Sequence, residues 1–311
     1  GMCLSGNPWL ATFETRHPRL SYSYKKWFLK FCVKRIAKDN CIRIIAFSES
    51  TYKHQQDFIE KNYKDYKDVI MNKCTILHPP QKLHINSFGE KQKYINDTNK
   101  LVFTIVGSDF FRKGGKEVLY AFQSLYKENY INWQLNIVSS LNYGDYASKT
   151  TVSDQKEALQ IIESVDCINY HNKLNNLDVL ELLKKSNIGL LPSWGDTYGY
   201  SVLESQACGT PCITTDIRAL PEINNNDCGW LIKTPKDKLG NLNVNNAFER
   251  AVFSETLSNN LYNIFKSILD NSSIVRTKSI NSIERIREKH NPVKHADNLL
   301  QIYNKLPLKD N

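Results

Sequence analysis

Short runs of apolar, β-branched residues alternate with longer amphipathic stretches along this 311-residue chain. The runs predict strands at 9–13, 42–47, 74–77, 101–106, 133–138, 167–170, 188–191, 212–215 and 230–232. The amphipathic stretches predict helices at 22–37, 55–62, 116–126, 154–165, 177–185, 202–207, 247–269 and 274–289. A strand followed by a crossover helix, repeated, is typical of an α/β fold with mainly parallel sheets.

The polar segment 79–100 interrupts this alternation. It begins with a double proline and has neither a helical nor a strand period, so we interpret it as a linker. A new α/β series starts at Leu101. The pattern therefore predicts a short N-terminal domain with its linker over residues 1–97 and a longer domain from residue 98 to about residue 290.

The formal net charge of +9 favours an anionic partner, such as a nucleotide, a phosphorylated lipid or a membrane surface. A lysine-rich, solvated surface explains the same charge. Nucleic acid is the weakest option, because the chain has no helix-turn-helix, zinc-finger spacing or RNA-binding aromatic signature.

The eight cysteines are scattered, and three residues separate the closest pair, Cys208 and Cys212. This spacing differs from the C-x₂-C of zinc sites, so we expect reduced thiols and no metal. The sequence has no apolar run near the ~20 residues that a membrane-spanning helix needs. The first residues lack a secretory-signal pattern, which predicts a cytoplasmic location.

The segment "LVFTIVGSDFFRKGGKEVLYAFQSL", residues 101–125, carries the first candidate site. A buried strand ends at Val106, Gly107 starts a tight turn, and a helix begins near Gly115. The loop and the helix N-terminus present backbone N–H groups to an anion above the sheet. Arg112 and Lys113 add a planar fork and a point charge, which suit a diphosphate. The spacing matches neither a P-loop nor a dinucleotide fingerprint.

The segment "SWGDTYGYSVLESQACGTPCITT", residues 193–215, carries the second candidate site. The apolar strand 188–191 precedes it, and ligands of open α/β sheets gather beyond such carboxyl ends, so Asp196 is expected in the cleft. Gly199 allows close backbone approach to a ligand. The helix that begins at Tyr200 offers free N–H groups to a phosphate and carries Glu204 one turn in.

Both segments resemble those of family 4 retaining glycosyltransferases. The run from Asp196 to Pro211, with seven residues between its two acids, is similar to the family's signature E-x-F-G-L-x-x-x-E-A-x-A-x-G-x-P. "VGSDFFRKG", which starts at Val106, resembles the diphosphate loop of the lipopolysaccharide-core glucosyltransferase branch. The resemblance covers residues 98–235 well and residues 9–97 only in outline. It implies the GT-B fold, in which two Rossmann-like domains face each other and the second holds a nucleotide sugar.

The resemblance also implies roles for individual residues. Glu204 would accept hydrogen bonds from the ribose, and Arg112 with Lys113 would neutralise the diphosphate. Asp196 would lie beside the donor hexose and favour positive charge at its anomeric carbon, which makes Asp196, Arg112 and Lys113 the candidate catalytic residues. The remaining candidate donor-binding residues are Gly107, Ser108, Leu174 near the base, Tyr198, Gly199, Tyr200 and Ser201.

We expect this chemistry to need no metal and no cofactor, with a UDP- or GDP-linked sugar as the substrate. The sequence has no Asp-x-Asp motif of the kind that holds a divalent cation in other glycosyltransferases. Fixed cations and helix dipoles can stabilise the leaving diphosphate instead. The acceptor is expected to be a saccharide or a lipid-linked saccharide of a surface polysaccharide.

The chain departs from the family in two respects. Its first acid is aspartate rather than glutamate, which shortens the side chain by one methylene. Its first domain has under 100 residues, whereas relatives use ~150 or more, and its early histidine, His17, does not match the family's sugar-facing histidine. The acceptor half is therefore truncated, reduced, or completed by a partner chain. An alternative function is a nucleotide-sugar-binding subunit that needs such a partner for catalysis.

The two ends of the chain supply the last predictions. Helix 22–37 combines Trp27, Phe28 and Phe31 with several lysines. This pattern fits a core-packed helix with a basic outer face, or an interfacial helix on the inner, anionic face of a membrane. In the family fold the last helix packs back on the first domain, which assigns residues 291–311 to that role.

Overall fold

The computed structural model describes residue 3 and residues 6–19, 25–95 and 100–304. Its strands are β1 (Trp9–Phe13), β2 (Cys41–Ala46), β3 (Cys74–Ile76), β4 (Leu101–Val106), β5 (Trp133–Val138), β6 (Ile168–His171), β7 (Ile188–Leu191), β8 (Cys212–Thr215) and β9 (Gly229–Ile232). Its α-helices are α1 (Lys26–Ala37), α2 (Glu49–Asn62), α3 (Lys67–Met71), α4 (Phe88–Gln92), α5 (Gly115–Lys127), α6 (Val152–Ser164), α7 (Asn176–Lys185), α8 (Tyr200–Ala207), α9 (Leu220–Ile223), α10 (Ala247–Asp270), α11 (Ser273–Lys289) and α12 (Pro292–Asn304). These strands pair in parallel, which confirms the predicted α/β class.

The chain divides into two compact units. The described parts of Gly1–Pro80 and of Lys289–Asn311 form the first unit, and those of Gln81–Glu288 form the second. The sequence-based boundaries, after residues 97 and 290, lie somewhat further along the chain. The helix α12 thus belongs to the same unit as β1.

The first unit contains a sheet with the order β1-β2-β3. Ile44 and Ile45 are consecutive in β2 and therefore point to opposite faces of the sheet, and both are almost fully buried, so both faces of this strand are covered. The inner face of α1 packs Val33 and Ile36 against this core. The result is a small layered domain with its own hydrophobic core.

The second unit contains a sheet with the order β6-β5-β4-β7-β8-β9. The chain runs outward from β4 to β6, then returns to the other side of β4 and runs outward again from β7 to β9. The order therefore reverses between β4 and β7, where Ile105 pairs with Leu190. Such a switch point opens a crevice at the carboxyl ends of the two strands, and ligands of α/β sheets bind there.

Aromatic side chains lock α5 and α10 onto one face of this sheet. The ring of Phe122 lies 5.0 Å from that of Phe103 and 4.3 Å from that of Phe265. All three rings are fully buried. This core fixes the start of α5, and with it the loop that leaves β4.

The structure corrects several helix assignments. The helix predicted at 55–62 begins at Glu49, because Ser48 caps it by accepting a hydrogen bond from Thr51 N at 3.0 Å. The helix predicted from residue 22 begins at Lys26, and residues 22–24 lie outside the described residues. The short helices α3, α4 and α9 were not predicted, since four or five residues are too few to display a helical period.

The segment interpreted as a linker has structure of its own. Ser87 caps α4, and the segment buries Ile85 and Lys91. Lys91 Nζ donates to Leu183 O at 3.0 Å and to Thr210 Oγ1 at 2.6 Å. These contacts attach residues 84–92 to the second unit, although the local sequence has no periodic apolar pattern that would indicate it.

Candidate functional site

The loops that follow β4 and β7 lie side by side at the switch point. The carbonyl oxygen of Arg112 accepts hydrogen bonds from Trp194 N at 2.9 Å and from Ser193 Oγ at 3.0 Å. Gly114 has a φ of +80°, and a Cβ there would overlap the carbonyl group of Pro192. The glycine thus permits the close approach that joins the two loops into one wall.

Two cations and a carboxylate meet at this wall. Lys113 Nζ lies 3.4 Å from Asp196 Oδ2, and Arg112 Nη1 lies 3.7 Å from the same oxygen. These side chains are 12%, 20% and 11% exposed for Lys113, Arg112 and Asp196 respectively. Partial burial strengthens their electrostatic interaction with any anion at this position. The structure therefore brings together the three residues that the sequence singled out for catalysis.

Backbone and side-chain acceptors fix the orientation of Arg112. Its Nε and Nη2 donate to Asp109 Oδ2 at 2.9 and 2.7 Å, and Nη1 donates to Gly195 O. The guanidinium is thereby held between the two loops. Asp109 was not identified from the sequence as part of the site, although it lies within the quoted loop.

The structure shows a more specific reason for glycine at position 107 than the tight turn expected from the sequence. Its φ is +145°, and a Cβ there would lie 2.9 Å from Lys113 Nζ and still closer to the preceding methylenes. The lysine side chain runs directly over this glycine. The missing side chain at Gly107 is what lets Lys113 reach the mouth of the switch point.

The turn into α8 orients Asp196 from the other side. Tyr198 N donates to Asp196 Oδ1 at 3.3 Å. Gly199 has a φ of +96°, and a Cβ there would lie 2.6 Å from Leu220 Cδ2. Because the helix begins immediately after it, the first backbone N–H groups of α8 have no acceptor within the helix, and this end of α8 carries the positive end of the helix dipole.

Glu204 is half-buried one turn into α8. Burial raises the pKa of its carboxyl above the ordinary value, and a hydrogen bond from Asn176 and the charge of Lys113 lower that pKa in part. Asn176, at the start of α7, was not predicted as a site residue. Its contact depends on the tertiary packing of α7 against α8, and no local pattern indicates it.

The other predicted donor-binding residues occupy different environments. Leu174 is half-buried and packs near Val106, at the carboxyl ends of the central strands. Ser108 is exposed, and its carbonyl accepts from Ser140 Oγ at 2.8 Å. Tyr200 is 41% exposed at the start of α8. Ser201 Oγ is buried without a hydrogen-bond partner. If Ser201 binds the donor, it does so through its backbone N–H.

Tyr198 requires a correction. Its side chain is fully buried, and its ring packs 5.3 Å from that of Tyr200. A phenol ring in the core cannot line an open pocket for a nucleotide sugar. The part of Tyr198 that faces the site is its backbone N–H, which holds Asp196.

His17 is also buried, in the first unit. Burial lowers the pKa of its imidazole to about 4, so the ring is neutral at physiological pH. Its backbone exchanges two hydrogen bonds with the Gln55 side chain, at 2.6 and 2.8 Å. His17 follows β1 in the chain and lies beyond the carboxyl end of that strand.

Within the ranges that the structure describes, no group of three His, Cys, Asp or Glu side chains is arranged to hold a metal ion. In those same ranges, none of the helices combines the length and apolar character needed to cross a lipid bilayer.

Comparison with known proteins gives one family. The family model described as "Glycosyl transferases group 1" matches residues 87–262, which include the loop after β4, the loop after β7 and all of α8.

Two curated relatives resemble the chain. The N-acetyl-alpha-D-glucosaminyl L-malate synthase of Bacillus anthracis is 31% identical over 147 residues, which cover 46% of this chain and 34% of that protein. The capsular polysaccharide biosynthesis glycosyltransferase CapM of Staphylococcus aureus is 25% identical over 243 residues, 72% of this chain and 59% of that protein. The chain thus spans between one third and three fifths of the length of these relatives.

Solved structures agree on the fold. Anabaena HepE, crystallised in complex with UDP and glucose, superposes with a TM-score of 0.65 at 14% identity and covers 96% of this chain and 72% of its own. The likeness shows a shared α/β architecture with parallel sheets in two domains, which is the GT-B type.

Proposed function

Since the chain belongs to the group 1 glycosyltransferases, we propose that it transfers a hexose from a nucleotide diphosphate sugar to a saccharide or lipid-linked acceptor. The observation that carries this proposal is the meeting of Lys113 and Arg112 with Asp196, at 3.4 and 3.7 Å, in the crevice where the strand order reverses. Glu204 lies near enough to Lys113 for its pKa to respond to the lysine charge. Cations for a diphosphate and acids for sugar hydroxyls thus share one edge of the sheet.

The proposed step breaks the bond between the anomeric carbon and the distal phosphate. The electron pair leaves with the diphosphate, where Arg112, Lys113 and the N-terminus of α8 stabilise the added negative charge. The acceptor hydroxyl attacks the same carbon, and its proton passes to an oxygen of the leaving diphosphate. Asp196 would bind the hexose hydroxyls and favour the positive charge that develops at that carbon.

Glu204 would accept hydrogen bonds from the ribose hydroxyls, with Leu174 near the base. Asn176 supports this assignment, because its hydrogen bond orients the carboxylate. We further propose that the reaction retains the anomeric configuration, as in the glycosyltransferases whose signature the chain resembles, and that it needs no metal. The two fixed cations supply the charge that a metal would otherwise bring.

For the biological setting, we propose synthesis of a surface polysaccharide at the cytoplasmic face of a membrane. The likeness to CapM, named for capsular polysaccharide biosynthesis, supports the acceptor class. HepE was solved with UDP, which supports a UDP-linked donor over a GDP-linked one. We also propose that the chain belongs to the lipopolysaccharide-core glucosyltransferase branch, because its loop from Val106 to Gly114 resembles the diphosphate loop of that branch.

A thermal-shift screen against nucleotide sugars, followed by a transfer or hydrolysis assay, tests this function. A sugar nucleotide that binds the folded chain raises its melting temperature. Lys113→Ala should lower turnover by about 10²–10³, the typical effect of removing one charge-stabilising donor. Lys127→Ala, an exposed lysine at the end of α5, is the matched control and should behave as wild type.

The outcomes separate cleanly. Wild-type turnover in Lys113→Ala would remove the diphosphate assignment. Binding of a nucleotide sugar without any turnover by the wild-type chain would favour a binding subunit that needs a partner over an enzyme.

A further inference from the structure

The loop that follows β5 spans residues 139–151 and is fixed at its base. Leu141 pairs with Asp109 in an antiparallel bridge, which joins this loop to the one that leaves β4. The two arms of the loop are also joined to each other, because Thr150 N donates to Gly144 O at 2.9 Å. The residues between these arms form a tip that the contacts hold in place.

The tip lies against the backbone immediately before Asp196. A Cβ placed on Gly195 would lie 3.6 Å from Ala147 Cβ, 3.8 Å from Tyr146 Cε1 and 3.9 Å from the Tyr146 hydroxyl oxygen. Since glycine carries no side chain, the ring of Tyr146 can lie beside the residue that precedes the candidate catalytic acid.

A small pocket opens between this tip and Arg112. Its volume is about 100 Å³, and its wall includes Asp109, Arg112, Tyr143 and Tyr146. Arg112 is shared with the candidate donor site, because its Nη1 lies 3.7 Å from Asp196 Oδ2. Whole ligands occupy pockets of roughly 300 Å³ or more, so this one suits a single part of a larger ligand.

The order of groups along the proposed donor indicates which part that is. Neither Glu204 nor Lys113 contributes to the wall of the pocket. The ribose is assigned to Glu204 and the diphosphate to Lys113 and Arg112, so the group that follows the diphosphate is the hexose. A pocket that begins at Arg112 and extends away from Glu204 is therefore placed for that hexose.

The chemistry of the wall suits a neutral sugar. Tyr146 is 64% exposed, and a ring on a loop that is already fixed costs a ligand little ordering entropy. The C–H face of a hexose is apolar and can pack on the electron-rich face of this ring. The one cation and the one anion of the wall, Arg112 and Asp109, pair with each other at 2.7 Å, which leaves no excess charge for an ionic substituent.

We propose that Tyr146 binds the transferred hexose and is a specificity-determining residue for a neutral donor sugar. The assignment rests on the proposed function, since it takes the positions of the ribose and the diphosphate from it. It adds the class of sugar that this side of the site selects, a neutral hexose rather than a hexuronate, whose carboxylate would meet that of Asp109.

The test compares each donor with its own nucleotide, which lacks the hexose. Calorimetry on the full chain measures UDP against UDP-glucose, UDP-galactose, UDP-N-acetylglucosamine and UDP-glucuronate, and GDP against GDP-mannose. The variants are Tyr146→Ala and Tyr146→Phe. Ile131→Ala is the control, because Ile131 is 52% exposed and precedes β5, at the opposite edge of the sheet from the candidate site.

We expect the wild-type chain to bind one neutral donor more tightly than the corresponding nucleotide, and more tightly than UDP-glucuronate. Tyr146→Ala should weaken binding of that donor by about fivefold to tenfold and leave binding of the nucleotide unchanged. Tyr146→Phe keeps the ring and should restore the affinity, and Ile131→Ala should match wild type. The melting temperature of Tyr146→Ala should equal that of wild type, since the side chain is exposed.

Several outcomes would overturn the role of Tyr146. One is a Tyr146→Ala variant that loses affinity equally for donor and nucleotide, or for neither. Another is a Tyr146→Phe variant as weak as Tyr146→Ala. Preference for UDP-glucuronate over every neutral donor would overturn the sugar class. A change in the acceptor KM alone would assign the ring to the acceptor instead.

Lys113→Ala separates this role from the proposed function. If Lys113→Ala weakens donor and nucleotide together while Tyr146→Ala weakens neither, the proposed donor site stands and the role of Tyr146 fails. If Lys113→Ala binds both as tightly as wild type while Tyr146→Ala loses only the donor, the diphosphate assignment fails and the hexose contact stands. A wild-type chain that binds none of these nucleotides or donors would contradict both.

Discussion

Glu204, the residue proposed to bind the donor ribose, is an acid whose burial bears on stability. Burial raises the pKa of its carboxyl, so the folded state binds a proton more tightly than the unfolded state. Between the unfolded and the folded pKa, the native chain carries more protons, and the free energy of unfolding falls as the pH rises through this window. The ionised carboxylate is only partly solvated at this half-buried position.

Glu204→Gln should therefore stabilise the folded protein and weaken its binding of the donor. The variant loses the charged form, so its melting temperature relative to wild type should rise from pH 4 to pH 7. Hydrogen bonds to charged groups exceed neutral ones by about 1 kcal/mol or more, so donor affinity should fall by roughly tenfold. Thermal melts across pH and calorimetric titration with the donor measure both effects. A variant that is destabilised at pH 7 contradicts the argument.

Lys91 is a buried cation whose contacts are a carbonyl and a hydroxyl. Burial lowers the pKa of its amine to about 7, from an ordinary value of 10.5. Between those two values the unfolded chain binds more protons than the folded chain, so the free energy of unfolding rises with pH across this window, by at most about 1.4 kcal/mol per pH unit. Below pH 7 the native state carries the full cost of the buried charge.

Lys91→Met should remove this pH dependence. Leu183 O also accepts from Ser186 N at 3.1 Å and from Thr210 Oγ1 at 2.7 Å, so it keeps partners without the amine. Urea unfolding of both proteins between pH 6 and pH 10 isolates the lysine, since other titrating groups cancel in the difference. The expected result is a variant that is more stable than wild type at pH 6, with the gap closing toward pH 10. A constant gap would show that Lys91 does not titrate in this range.

Helix α1 buries one face and exposes aromatic residues on another. Cys32, Val33 and Ile36 pack into the core, whereas Trp27 is 67% and Phe31 is 43% exposed. The exposed lysines of α1 lie among these rings. The helix is thus core-packed, which is one of the two interpretations of its sequence, and it also retains the aromatic and basic surface of an interfacial helix.

A double variant, Trp27→Ser with Phe31→Ser, should weaken binding to vesicles of phosphatidylglycerol and phosphatidylcholine by about tenfold or more, because two exposed apolar side chains no longer enter the bilayer. The melting temperature should hardly change, since both rings are exposed. Vesicle co-sedimentation gives the partition coefficient. Val69→Ser, an exposed apolar position on α3, serves as the control. Equal partitioning of wild type and double variant would exclude α1 as a membrane anchor.

Prediction from sequence succeeded where the residues of an element themselves carry its apolar pattern. The strands β1, β4, β5, β7 and β8 begin and end where predicted. β7 and β8 are buried on both faces, whereas β1 buries alternate residues only. Helices of ten residues or more were found, with altered ends. The short helices and the buried segment around Lys91 were missed, since their stability comes from contacts with residues distant in the chain.

The same distinction applies to the candidate site. The approach of Arg112, Lys113 and Asp196 was predictable, because the carboxyl ends of parallel strands share one edge. The hydrogen bond from Asn176 to Glu204 and the burial of the Tyr198 ring depend on how α7, α8 and α9 pack. No local sequence pattern predicts how these three helices pack.

Two separate cores account for the organisation of the whole chain. One core joins β1, β2 and the inner face of α1, and the other joins the sheet from β4 to β9 with α5 and α10. The first unit takes residues from both ends of the chain, whereas the second is continuous from Gln81 to Glu288. The candidate donor residues, from Gly107 to Glu204, and the family match at 87–262 both fall within the continuous unit.

A fragment of residues 81–288 should therefore fold and bind the donor without transferring its sugar. A domain with its own core can fold alone, and the fragment contains every proposed donor contact. We expect the affinity of the full chain for the same nucleotide sugar, measured by calorimetry, and loss of that affinity when Lys113→Ala is introduced into the fragment. Transfer to an acceptor should be absent, because the proposed acceptor half lies in residues that the fragment lacks. A folded fragment that fails to bind would mean that donor recognition requires the first unit, and a fragment that transfers sugar would place the acceptor site within residues 81–288.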